Sequence, residues 1–182
     1  MRSSTIAAAA ALVSSAYAVP WGSGGLWGGG KGDPTKCLNW DTANYLATSF
    51  QSLIVAYSST VADKVLADDL LDYSNSILSL QGLPLTGAPA FPSKAAFEQG
   101  QGSQPSVPLV ILAIDAFNCQ NVTFRWNANF GGANSVNGMT HLTASNSQGQ
   151  ADTWQISVIY TEFDSLAWWK AIGGTVTPPP SS

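Results

Sequence analysis

The chain is 182 residues long, 45% hydrophobic and only 10% charged, with a formal net charge of −4. No cluster of lysine or arginine interrupts that acidic balance, which argues against nucleic acid and anionic membranes as partners. One histidine and two cysteines are too few ligands for a metal centre, and no motif points to a cofactor.

The first eighteen residues read as an export signal. Arg2 supplies positive charge, Ile6 to Val13 is a short apolar run, and Ala16-Tyr17-Ala18 puts small residues at both cleavage positions. That run is too short to cross a bilayer, so no membrane insertion is expected. The expected product starts at Val19 and is secreted to the extracellular space. Residues 19–36, VPWGSGGLWGGGKGDPTK, are too rich in glycine to pack and read as a flexible arm carrying Trp21 and Trp27. The folded domain is expected over 37–174, with 175–182 as a Pro/Ser tail. Cys37 and Cys119, an even pair in an oxidising compartment, are expected to form a disulfide. Asn121-Val122-Thr123 is an N-glycosylation sequon on Asn121.

Helical spacing comes first within the domain. Trp40 to Tyr57 repeats Tyr45, Leu46, Phe50, Leu53, Ile54 and Tyr57 at three- and four-residue intervals, with Asp41 or Thr42 as cap. Thr60 to Ala67 predicts a shorter helix. In DDLLDYSNSI, Asp68 and Asp72 would repel each other on one helix face, so an extended segment is expected after Asp68 or Asp69. Its alternation puts Leu71, Tyr73, Asn75 and Ile77 on one side and Asp72, Ser74 and Ser76 on the other. PSKAAFEQGQG predicts a helix that starts at Pro92 or Ser93 and stops at Gly100 or Gly102.

The period then changes. Val107–Phe117, Val122–Phe130, Gly138–Ser145 and Thr153–Phe163 read as four strands separated by Gly-, Asn- and Ser-rich turns, with a last helical turn over Leu166–Ile172. Helices followed by a meander of long strands predict an α+β domain.

Several residues are candidates for chemistry, each with a plainer reading beside it. Asp68 and Asp69 suit solvated turn positions. Asp72 is balanced between an exposed carboxylate and a functional one. His141, the single histidine, is the natural proton carrier near neutral pH, although a lone strand histidine is more often structural. Asp115 interrupts an apolar strand; a cross-strand ion pair with Arg125 is the simpler account, a pocket acid the sharper one. Glu162 shares a strand face with Tyr160, and the pair lines a pocket if that face turns inward. No GxSxG motif supports a serine nucleophile, and GQG lacks the pattern of a phosphate loop. Trp126, Trp154, Trp168 and Trp169 fit either a filled core or the wall of an apolar site.

Cys37, the run DDLLDYSNSI, the segment FPSKAAFEQGQGSQP, the strand NVTFRW and the closing EFDSLAWWKAIG together resemble the fungal secreted branch of the NTF2-like superfamily. The likeness spans Cys37 to Gly174. It implies a cone, in which N-terminal helices pack on a strongly curved, mostly antiparallel sheet and leave a pocket at the open end. The superfamily hosts steroid isomerisation, scytalone dehydration, polyketide cyclisation, epoxide hydrolysis and plain protein binding, so fold alone does not choose among them. The expectation drawn here is a secreted protein whose cone holds a small, mainly apolar molecule lined by Tyr57, Tyr73, Trp126, Tyr160 and Glu162, with His141 nearby. One alternative is a dehydratase, isomerase or cyclase using His141 with Asp72 or Asp115. The other is a non-catalytic interaction protein, with a homodimer through the sheet as one form.

Overall fold

The computed structural model describes residues 33–131 and 135–176. The expected signal peptide, most of the glycine-rich arm with Trp21 and Trp27, and the tail from Thr177 onward lie outside the described residues.

Helix α1 (Trp40–Val55) starts where the side chain of Asn39 accepts the Thr42 N–H at 2.9 Å. The cap is thus Asn39 rather than Asp41 or Thr42, because Asn39 is the last residue with extended backbone. Ala43, Leu46, Ala47, Phe50 and Leu53 recur at three- and four-residue steps and are buried. Ser58 caps α2 (Ser59–Val65) in the same manner.

Leu66 is already extended. It opens β1 (Leu66–Tyr73), so the second helix stops before Ala67. The strand pairs irregularly between Leu66 and Leu71, and Asp68 and Asp69 stand exposed in that bulge. The extended segment expected to run on to Ile77 ends at Tyr73. Ser74 accepts the Ile77 N–H at 3.0 Å and begins a short helix, α3 (Asn75–Leu80). A capping serine outweighs the two-residue alternation there. Helix α4 (Lys94–Ser103) follows, capped by Ser93. Lys94 lies 3.7 Å from both Asp63 and Asp68, tying α4 to α2 and to the start of the sheet through two exposed carboxylates, which keeps the contribution small.

The remaining strands are β2 (Leu109–Phe117), β3 (Asn121–Asn129), β4 (Ser135–Ser145) and β5 (Gln155–Phe163), with α5 (Ser165–Ala171) closing the chain. Their order is β1-β5-β4-β3-β2; β1 runs parallel to β5 and the other neighbours are antiparallel. This is an α+β fold with a curved, open sheet. Its inner face carries Val122, Phe124, Trp126 and Ala128 of β3, Val136, Thr140, Leu142 and Ala144 of β4, and Ile156 and Ile159 of β5, all buried. Phe50 meets Phe124 edge to face with ring centroids 5.8 Å apart, which joins α1 to the middle of the sheet. Burial of each such large side chain contributes roughly 1.5–3 kcal/mol.

Cys37 and Cys119 are bonded, joining the residues before α1 to the turn between β2 and β3. The Leu38 N–H donates to the Cys119 carbonyl at 3.1 Å and extends that junction. Asn121 opens β3 with its side-chain amide already engaged, donating to Asn118 at 3.1 Å and accepting from Thr143 at 2.9 Å.

Candidate functional site

Beyond the packed middle of the sheet, the ends of several elements converge without filling the space between them. The result is a cavity of about 360 Å³. Phe50 and Ile54 of α1 form one side, Ile77 and Leu80 of α3 another, and Trp126 and Phe163 the sheet wall. Phe91 and Trp168 complete it from the loop before α4 and from α5. Trp126, Phe163 and Trp168 follow one another as a chain of contacting rings, with centroids 5.8 and 4.9 Å apart.

Two glycines make this wall. Gly138 sits opposite Trp126 across β3 and β4, and a Cβ added there would lie 2.2 Å from the indole. The same addition at Gly100 would lie 2.6 Å from the ring of Phe91. Side chains at either place would displace an aromatic ring of the cavity wall.

Asp72 is the one ionisable side chain among the described residues that line the cavity. Its backbone is held by a reciprocal pair of hydrogen bonds with Phe91, 3.0 and 3.1 Å long. The residue is 2% exposed, and its Oδ1 has no hydrogen-bond partner among the described residues. Burial pushes its carboxyl up to about 8, and the negative charge of Glu162 adds to the rise. The second polar feature is a buried chain. The Trp126 indole donates to Thr140 at 3.0 Å, and Thr140 meets the hydroxyl of Thr161 at 3.0 Å. Thr161 lines the cavity too, whereas Gln101 and Gln104 bond to each other at its edge.

The sequence candidates divide between the two faces of the sheet. Asp72 and Trp126 are inside. His141, Tyr160, Glu162, Tyr73 and Asp115 belong to the outer face. The register explains it: Thr123, His141 and Tyr160 are cross-strand neighbours, and they alternate with buried Phe124, Leu142 and Ile159. His141 contacts Thr123 through Nδ1 at 2.8 Å, and Tyr160 stacks on Tyr73 with centroids 5.1 Å apart. The acid–base pair of His141 with Asp72 is therefore not assembled, since the sheet separates them. Asp115 forms the cross-strand pair with Arg125, whose Nε and a terminal nitrogen donate at 2.8 and 2.9 Å, and it faces away from the cavity.

Glu162 has a different task from lining. Its carboxylate accepts the N–H groups of Asn75 and Ser76 at 2.8 and 3.0 Å, so it anchors the start of α3. Tyr57 follows α1 and packs near Gly102, where it borders a shallow groove next to the cavity. Sequence reasoning missed Ile77, Leu80, Phe91, Phe163 and Thr161. The one local signal for the first two was Ser74, a helix-capping residue type placed ahead of Ile77 and Leu80, which stand three residues apart.

No curated protein matches the chain significantly by sequence. Among solved structures, IdmH from Streptomyces antibioticus, described as a candidate polyketide cyclase, shares 11% identity at a TM-score of 0.50. That likeness covers 72% of this chain and 98% of IdmH. A loop-truncated variant of IdmH gives 0.51 over 72% and 99% of the two chains, again at 11% identity. Likeness at such identity reports the fold. Residues 36–175 match the NTF2-like domain family, and the described helices and curved open sheet are arranged as that fold requires. The chain belongs to the NTF2-like domain family.

Proposed function

We propose that the protein is exported and that its cavity holds a small, mainly apolar molecule. The observation carrying this reading is the cavity itself: about 360 Å³, walled by aromatic and aliphatic side chains, with one carboxyl group inside. A space of that size fits the lower end of small-molecule sites, where apolar walls supply affinity and a few polar groups supply orientation. Export is supported by the bonded cysteine pair, since such bonds persist in oxidising compartments. Expression in a secreting host followed by N-terminal sequencing should give a chain starting at Val19.

The cavity is tested with a neutral fluorophore, N-phenyl-1-naphthylamine. Its emission should rise on binding, with tryptophan emission quenched because Trp126 and Trp168 stand in the wall. Ile77→Trp, which fills the space from α3, should abolish the response while leaving the fold intact by circular dichroism. An unchanged response in that variant would place the probe elsewhere and refute the reading.

A catalytic reading is favoured by one specific feature, the carboxyl of Asp72 raised to about 8 inside an apolar wall. A group so placed can take and return a proton near neutral pH. It would act alone, without His141. Exchange of the α-hydrogens of bound 2-tetralone for deuterium, followed by NMR, should then proceed in the parent and stop in Asp72→Asn. Binding without exchange in the parent rejects catalysis on enolisable ketones and leaves the binding reading standing. The interaction reading has less behind it. Val110, Leu112, Met139 and Tyr160 are exposed, but the Asp115–Arg125 pair and the Asn127–Asn137 pair lie among these strands and break up the outer face.

A further inference from the structure

The hydrogens in the buried chain beside the cavity have a direction. An indole Nε1 can only donate, so Thr140 accepts from Trp126. Thr140 is fully buried and has one further partner among the described residues, the hydroxyl of Thr161. Were Thr161 the donor, the hydrogen of Thr140 would be buried with nothing to accept it, an arrangement native structures avoid. Thr140 therefore donates to Thr161. The hydroxyl hydrogen of Thr161 is left over, on a side chain that lines the cavity.

Asp72 stands close by on the same face. It is paired with Ile159 across β1 and β5, and Thr161 lies two residues further along β5. The two side chains are diagonal neighbours on adjacent strands and line the same cavity. Oδ1 of Asp72 has no partner among the described residues. With its carboxyl raised to about 8, Asp72 keeps its proton at neutral pH. The wall thus presents two O–H donors on adjacent strands, and the other described lining residues carry no charge.

We propose that Asp72 and Thr161 together receive a neutral acceptor oxygen, the carbonyl of a ketone, aldehyde, ester or lactone, on an otherwise apolar ligand. This rests on the cavity reading above and adds to it a choice among ligand chemistries. A carboxylate ligand would enter an apolar space against the negative charge of Glu162, and an ammonium ligand would require Asp72 to give up its proton.

Four probes of one size separate these cases by equilibrium dialysis at pH 6: 2-acetylnaphthalene, its isostere 2-isopropenylnaphthalene, 2-naphthoate and 1-(2-naphthyl)ethylamine. The acetyl compound should bind about tenfold tighter than the isopropenyl one, as two neutral hydrogen bonds provide. Thr161→Val and Asp72→Leu should each cut that ratio several-fold, and Asp72→Asn, which retains a donor, should restore most of it. Because the ratio is taken within each variant, loss of folded protein does not alter it. Equal binding of the acetyl and isopropenyl probes overturns the proposal while the cavity reading survives, and so does tightest binding of the amine or the carboxylate. A ratio unchanged in Thr161→Val also overturns it. Binding of none of the four overturns both readings.

Discussion

Asp72 shows how a single side chain ties the stability of this protein to pH. The unfolded chain releases the proton near the ordinary value of 3.8, whereas the folded protein holds it until about 8. Between those values the folded state binds more protons than the unfolded state, so stability falls as pH rises through the window, by about 1.4 kcal/mol per pH unit. Below the window the loss is absent; above it the loss is complete. Asp72→Asn removes the ionisation. Urea denaturation should find variant and parent similar near pH 4, and the variant more stable by a few kcal/mol at pH 8. A variant whose stability follows the parent's pH profile would show that another group controls it. The sequence placed Asp72 opposite its flanking leucine and tyrosine, as the strand does. It did not show that this side is buried, because burial comes from α3, α4 and Phe91 folding over it. The outer-face candidates failed for the complementary reason. Tyr160 and Glu162 do share a face of β5, opposite buried Ile159 and Thr161, but alternation does not say which face turns inward.

The hairpin of β3 and β4 shows the same logic over a whole element. Strand alternation in NVTFRWNAN was legible, and so was the helical spacing of α1, because each is a local pattern with a fixed period. The partner of Trp126 was not legible. Only the register pairs it with Gly138, and only the absence of a Cβ there lets the indole lie against the neighbouring strand. Gly138→Ala puts a methyl group 2.2 Å from that ring, so the ring must move or the strands must part. The expected cost is about 1–3 kcal/mol, as for other overpacked cores. The cavity should register it too, since Trp126 forms part of its wall and donates to Thr140. A shifted tryptophan emission maximum with weaker N-phenyl-1-naphthylamine binding is the expected result. Parent-like stability and emission would mean that the neighbouring strand has room to spare.

At the scale of the molecule, the fold was readable and the site was not, and the two outcomes share a cause. Helices before strands, turn residues between them and the cysteine pair are properties of sequence order. The cavity draws on α1, α3, α4, α5, β1, β3 and β5 at once, and no short stretch encodes such a convergence. The disulfide is long-range as well, yet it was legible because two cysteines leave a single intramolecular pairing. It closes a separation of 82 residues, for which chain entropy predicts about 4 kcal/mol of stabilisation. Its position predicts something narrower. Cys37 precedes the start of α1, and the cavity is lined by Phe50 and Ile54 from that helix's other end. Some three turns of helix, locked to the sheet through Phe50 and Phe124, stand between them. The double substitution Cys37→Ser, Cys119→Ser should therefore lower stability by several kcal/mol and leave probe affinity within about twofold of the parent, measured where both remain folded. A large affinity loss in folded protein would show that the bond sets the geometry of the cavity rather than only holding the cone together.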